Sequence, residues 1–291
     1  MISFLRITRL SVSERGKIGS KYFTRNGSLF RKKYISISNM MFRIINRDLS
    51  SIFFKKNQLS EYPLINKIGE GKFAVCYYSK TKENIPVVIK YRKQRWCFLS
   101  QCNAESEIKI LSKINNPHIP KIIDIINEGK SRNIVLEYKP GITIRDMIFK
   151  QNKRFTLLET IDIFRQILDI IEYLHANSIV HHEIRPQNVL YDDGCVNLVD
   201  FGFANYYNGE SHIYELDFVC LGELLLFLLY SNYKGVSNDS WLNELELNEA
   251  QKVFIKKMLM ILQPHHHISE VCQDFKTCFD QRSKIWKPIK E

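Results

Sequence analysis

The chain of 291 residues contains no Cys-x-x-Cys pair. Its seven cysteines stand at 76, 97, 102, 195, 220, 272 and 278, an odd number without the paired spacing of a disulfide frame or a zinc ribbon. That pattern points to reduced thiols. No apolar run approaches the roughly 18 residues that a membrane-spanning helix needs. The most apolar stretch, Leu224–Tyr230, follows Glu215, Asp217 and Glu223 and reads as a buried helix. No apolar core follows the first charges, so no secretory signal is expected. Internal repeats and low-complexity tracts are also lacking. A globular protein remains, 45% hydrophobic and 25% charged, with 18 Phe and 14 Tyr to build a core.

Acidic residues are scarce in one region only. Residues 1–50 hold 11 Lys and Arg against 2 Asp and Glu, whereas the rest of the chain holds 31 against 29. The net charge of +11 therefore belongs almost entirely to an N-terminal arm. Three readings of the arm stand side by side. It resembles a mitochondrial-type presequence; it suits contact with nucleic-acid phosphates or lipid headgroups; or it is a disordered extension of a protein whose natural start lies near Met41. The last is the simplest, and nucleic-acid or anionic-surface contact is the less favoured one.

Between 62 and 138 the signals are short and strand-like: YPLINKIG, AVCYYSK, PVVIKYR, KIIDIIN and NIVLEY, separated by turn residues. One helix interrupts them, expected from about 100 to 113. From about 143 onward helices dominate, among them TLLETIDIFRQILDIIEYLHAN and YELDFVCLGELLLFLLYS. A small sheet with one helix, followed by a helical half, is an α+β architecture with a cleft where the halves meet. The junction falls near Glu137-Tyr138-Lys139-Pro140-Gly141.

Four motifs lie in order on this frame. Ile68-Gly69-Glu70-Gly71-Lys72-Phe73-Ala74-Val75-Cys76 is a glycine-rich turn between strands, suited to backbone amides closing over phosphates. Val87-Val88-Ile89-Lys90 puts an ammonium inside an apolar strand, where it needs an acidic partner. Glu105 and Glu107 in the following helix are the candidates, and Glu107 is favoured. His181-His182-Glu183 precedes Asn188 by five residues from Glu183, and Asp200-Phe201-Gly202 closes the set.

Together these residues resemble the protein-kinase family, over about residues 62–280. The resemblance implies a two-lobed kinase fold: an N-lobe at 60–138, a C-lobe at 139–282 and a basic extension at 1–50. It also implies roles. Gly69, Gly71 and Ala74 would cover the ATP phosphates, and Cys76 and Glu137 would border the adenine. Lys90, paired with Glu107, would contact the α- and β-phosphates. Asn188 and Asp200 would hold Mg²⁺, Arg185 would stabilise the transferring phosphoryl group, and Glu183 would orient the acceptor hydroxyl. His181 would pack beneath the metal-binding turn.

The departures are specific. Glu183 stands where the family has Asp, Ala74 replaces the third glycine, Cys76 a valine, His182 an arginine, and Arg185 a lysine. Only fourteen residues, 203–216, separate Gly202 from Asp217, and no Ala-Pro-Glu motif lies there. In Gln263-Pro264-His265-His266-His267 the late arginine position is His267. Both partners of one family ion pair are thus gone together, as expected if a lone buried charge is destabilising. Adjacent histidines cannot all face one ion, so the triplet reads as a loop leading into a helix. More narrowly, the chain is similar to small stand-alone serine/threonine kinases of Bacillus-type bacteria, which implies a cytoplasmic enzyme using ATP and Mg²⁺ on a protein serine or threonine. The Asp-to-Glu change leaves two alternatives open: an ATP-binding regulatory pseudokinase, and a small-molecule phosphotransferase.

Overall fold

The computed structural model describes residues 62–71, 73–93, 104–128, 131–207, 213–235 and 239–279. The expected basic extension and the Met41 start lie outside these residues.

The N-terminal half is a five-stranded antiparallel sheet in the order β1-β2-β3-β5-β4. Its strands are β1 (Asn66–Glu70), β2 (Ala74–Lys80), β3 (Pro86–Arg92), β4 (Ile122–Glu128) and β5 (Ser131–Glu137), with helix α1 (Ala104–Leu111) between β3 and β4. Strand alternation decides which side chain does what. On one face Val87 and Ile89 of β3 join Val135 of β5 in a small cluster with Tyr62, Leu64 and Ile126. On the opposite face Val88, Ile134 and Leu136 join the main core together with Ile108, Ile110 and Leu111 of α1. Lys90 and Arg92 share the parity of Val88, so they too point towards α1.

The chain leaves the sheet at Gly141, whose φ of +116° is a glycine conformation. A Cβ there would lie 2.9 Å from the carbonyl oxygen of Tyr191. The junction thus runs against the C-terminal half, through β6 (Ile142–Thr143), which pairs with β8 (Val189–Asp192), itself paired with β9 (Cys195–Leu198). Another small pair joins β7 (Ile179–Val180) to β10 (Asn205–Tyr206).

The rest is helical: α2 (Ile144–Lys150), α3 (Leu157–Ala176), α4 (Ile213–Ser231), α5 (Trp241–Glu244), α6 (Glu249–Met258) and α7 (Ile268–Phe279). Helix α3 begins with a capping box in which Thr156 accepts from the Glu159 amide and Glu159 reaches back to the Thr156 amide. Asn248 and Gln251 start α6 the same way. Helix α4 is apolar around most of its circumference and lies at the centre, with Phe218, Leu221, Leu224, Leu225 and Leu228 all within 1% of full burial. Where α4 crosses α6, a Cβ on Gly222 would come within 2.9 Å of Met258 Cβ, so glycine permits the close approach. The architecture is the expected α+β fold with two lobes. No helix of the described residues is long and apolar enough to cross a membrane.

Candidate active site

The site lies at the junction of the two halves and is built on three supports: strand β3, helix α1, and the loop from His181 to Gly202.

Lys90 is buried on β3, and its ammonium lies 2.6 Å from Glu107 Oε1 and 2.5 Å from Asp200 Oδ1. Burial alone would push this ammonium down, but the charges of Asp200 and Glu107 outweigh it and hold the pKa above its ordinary value. Asp200 is held below the usual carboxylate range: desolvation opposes this, and Lys90 together with the Gly202 amide prevails. Glu107 is completely buried and carries the ion pair. Glu105, on another face of α1, pairs with Arg132 at the surface. The helix spacing thus separates the two candidates as expected.

A second cation also meets Glu107. Arg92 Nη2 lies 2.7 Å from Glu107 Oε2, and both side chains are buried. No motif in the sequence marks Arg92. The signal for it is its place two residues beyond Lys90, on the same face of β3.

Helix α1 is also bound to the segment that follows Asp200-Phe201-Gly202. Ser106 Oγ donates to the Ala204 carbonyl at 3.1 Å, Lys109 and Lys113 lie over the Tyr206 ring, and Tyr206 packs beside β7 through β10. The glycine-rich turn is closed by the Gly71 amide donating to the Ala74 carbonyl at 2.9 Å. At its tip, the Phe73 ring meets Phe203 edge-on at 5.7 Å. A Cβ at Gly69 or Gly71 would make only ordinary van der Waals contact, with nothing nearer than 3.9 Å. Cys76 is half-buried on β2 and registers opposite Lys90, and burial pushes its thiol up to about 12.

The loop 181–188 is anchored from below by α4. Asp217, wholly buried, accepts from the His181 amide at 3.0 Å and the His182 amide at 2.7 Å. His175, at the end of α3, adds a third contact to the same carboxylate at 3.0 Å. Desolvation alone would raise the Asp217 pKa, yet these partners bring it down. The anchoring fixes His182 at φ 66°, a left-handed conformation uncommon for a side chain of its size. Asp200 adopts the same value. Such geometry persists where surrounding contacts over-determine it. His181 packs edge-on against Phe201, with ring centroids 4.7 Å apart. Its burial drives the imidazole pKa down to about 4 and keeps it neutral.

Glu183 and Arg185 face each other, Oε1 to Nη1 at 3.1 Å. Burial raises the Glu183 carboxyl above its ordinary value, with Arg185 opposing. Asn188 donates its amide N–H to the Glu183 carbonyl at 2.9 Å, which orients the side chain and leaves its oxygen as the free donor atom. One turn of α4 beyond Cys220, whose thiol meets the His182 carbonyl at 3.8 Å, stands Glu223. Glu223 Oε1 is buried with no hydrogen-bond partner, and burial pushes its pKa up to about 7 against the pull of Arg185. In the sequence Glu223 is distinguished only as a charge just before the most apolar stretch.

The predicted cluster therefore assembles: Lys90, Glu107 and Asp200 make one chain of contacts, and Glu183, Arg185 and Asn188 a second beside it. Glu137 ends β5, its amide donating to the Lys121 carbonyl at 2.8 Å and its carboxylate meeting Lys139. The histidine triplet is apart from all this. His265 is buried against Asp274 at 3.0 Å in the approach to α7, and Lys257 meets the same carboxylate at 2.8 Å.

Comparison with known proteins gives a consistent picture. The family model described as protein kinase domain matches residues 62–222. A probable serine/threonine-protein kinase YbdM of Bacillus subtilis is 37% identical over 232 residues, which cover 74% of this chain and 88% of that protein. A probable serine/threonine-protein kinase KIN1 homolog of Enterocytozoon bieneusi is 29% identical across 77% of this chain but only 39% of its own length. The mouse NUAK family SNF1-like kinase 1 is 31% identical across 64% of this chain and 29% of its own. The chain thus spans most of the Bacillus relative and well under half of the two eukaryotic ones.

Proposed function

The chain belongs to the protein kinase family, and from that premise we propose that it is a compact serine/threonine protein kinase transferring the γ-phosphate of ATP to a hydroxyl of a protein acceptor, with magnesium. The observation that carries the reading is the unbroken contact chain Glu107–Lys90–Asp200. It holds a buried ammonium between the two halves and places a carboxylate within its reach. The proposed lobes are 60–138 and 139–282, hinged at Glu137–Gly141. A cytoplasmic setting goes with the reading, and the five described cysteines are all free thiols.

The residues fit the nucleotide and the metal. Asp200 combines a lowered pKa with a side chain still 43% exposed, so an ionised oxygen donor opens towards the cleft. Asn188 presents its amide oxygen because its N–H is already engaged. Two hard oxygen donors of this kind suit Mg²⁺, which would supply charge neutralisation at the phosphates. Lys90 binds and orients the phosphates and is itself held by Glu107. The glycine-rich turn offers backbone amides without side chains in the way, and Cys76 and Glu137 border the adenine end. Arg185 offers a guanidinium, a planar fork that is always charged, where negative charge builds up. Glu183 accepts or orients the acceptor proton. Its raised pKa suits a base better than that of an ordinary glutamate, since efficient proton transfer favours a value nearer the operating pH. The extra methylene of Glu relative to Asp is accommodated by the contact with Arg185.

The deciding experiment is transfer of labelled γ-phosphate with Mg²⁺ to protein and metabolite acceptors side by side, for wild type, Asp200→Ala and Glu183→Asp. Transfer to protein that is lost in Asp200→Ala supports the reading. Silence in wild type with activity in Glu183→Asp assigns the chain instead to nucleotide-binding regulatory modules. Transfer to the metabolites alone assigns it to small-molecule phosphotransferases.

A further inference from the structure

Glu107 is shared. Its Oε1 takes Lys90 at 2.6 Å and its Oε2 takes Arg92 at 2.7 Å, and Arg92 is 5% and Glu107 0% exposed. The sheet has been arranged to allow this. Strands β3 and β5 pair only as far as Lys90 opposite Ile134. Beyond that point the Arg92 amide donates to Asn133 Oδ1 at 3.0 Å, and Asn133 is fully buried. A side-chain carbonyl thus continues the ladder for one more residue and fixes the backbone from which the Arg92 side chain departs. A buried guanidinium without a partner would be strongly destabilising, so its carboxylate contact is a determinant of where α1 sits.

We propose that Arg92 is a positioning residue for phosphate binding: a second cation on Glu107 that holds α1 against β3 and frees the charge of Lys90 for the nucleotide. The inference rests on the reading of Lys90 as the phosphate contact. With one lysine and one glutamate, the carboxylate would neutralise the ammonium on which the phosphates depend. With Arg92 present the quartet of Lys90, Arg92, Glu107 and the partly exposed Asp200 is balanced, two charges of each sign, and Glu107 is satisfied from its other oxygen. Asp200 can then turn to a metal while Lys90 keeps a net positive field. The same clamp keeps α1 engaged in a chain whose segment after Gly202 is short and whose loop carries His182 in place of arginine.

The test compares wild type, Arg92→Met, Arg92→Lys, Glu107→Gln and the double variant Arg92→Met/Glu107→Gln, measuring ATP KM and kcat together with thermal unfolding without nucleotide. Arg92→Met is expected to raise the ATP KM about tenfold, the size of an ordinary coupling between sites, with a much smaller change in kcat. Arg92→Lys should recover most of the affinity. In the Glu107→Gln background Arg92→Met should add little. An unchanged KM in Arg92→Met, or an equal rise in KM with and without Glu107, overturns the proposal and leaves Arg92 a packing residue whose loss shows only in the melting temperature. Should Arg92→Met fail to fold, Arg92→Gln, which removes the charge but keeps a polar head, gives the same comparison alone and in the Glu107→Gln background. Lys90→Met separates the premise: an unchanged ATP KM there removes the assignment of Lys90, and the proposal with it.

Discussion

Arg185 Nη1 stands 3.1 Å from Oε1 of Glu183, so two of the residues that depart from the family's usual loop are in contact with each other. An arginine in place of lysine and a glutamate in place of aspartate are each longer or wider than the usual side chain. Paired, each sets the position of the other. The pair should therefore behave non-additively: Arg185→Lys and Glu183→Asp, each harmful alone, should partly compensate when combined, as contacting residues do in double-mutant cycles.

Removing the ionisable group is a sharper probe. Glu183→Gln preserves length and shape but cannot accept a proton, and should lower kcat by about 100-fold or more with the ATP KM little changed. Because burial raises the Glu183 carboxyl, the acid limb of kcat should lie above the ordinary glutamate value of 4.5. It should be absent from any residual activity of Glu183→Gln. A pH–rate profile under saturating nucleotide measures both.

Glu223 gives a stability prediction whose sign can be worked out. Its folded pKa of about 7 exceeds the ordinary 4.5. The folded state therefore retains a proton that the unfolded state has lost, and the contribution to stability falls as pH rises from about 4.5 through about 7. Glu223→Gln removes this dependence. The variant should gain relative to wild type across that window, by up to about 3 kcal/mol at its upper end. Urea unfolding at pH 5 and pH 8 reads the difference; an equal offset at both values would sink the idea.

Asp217 carries three contacts from buried or half-buried donors. Asp217→Ala should cost about 3 kcal/mol or more, because it strands the His181 and His182 amides in a dry interior. It should also release the left-handed backbone at His182, so catalysis should fall further than the loss of stability explains. Unfolding midpoints and kcat measured below the transition separate the two effects.

Gly141 and Gly194 offer a matched pair. Both have positive φ, +116° and +86°. Only Gly141 faces an obstacle, since a Cβ at Gly194 would have nothing within 4 Å. Gly194→Ala should cost about 1 kcal/mol from backbone strain alone. Gly141→Ala should cost clearly more, and should disturb nucleotide binding through the junction of the lobes. Thermal denaturation ranks them.

Much of the site could be read in the sequence because motif and secondary structure agreed. A lysine inside an apolar strand demands a carboxylate, helix spacing puts Glu105 and Glu107 on different faces while the resemblance favours Glu107, and Asp200 and Asn188 stand at fixed distances from Glu183. Arg92 was not legible, because alternation gives the face of a strand residue but not its partner across 15 residues of chain. His175 is a lone histidine at a helix end, and only the packing of α3 against α4 brings it to Asp217. Strands β7 and β10 are two residues each, too short to show any periodicity. The segment around Glu223 reads as a buried helix, but an apolar run does not reveal whether the acids within it turn inward or outward.

Ser106 and Glu107 are neighbours in α1, one fastened to Ala204 and the other to Lys90 and Arg92. Any displacement of the helix large enough to release one set strains the other, so the intermediate positions lose bonds on both sides without gaining any. The free-energy profile along that motion therefore rises steeply from the engaged position, and the two sets of contacts hold the helix there cooperatively.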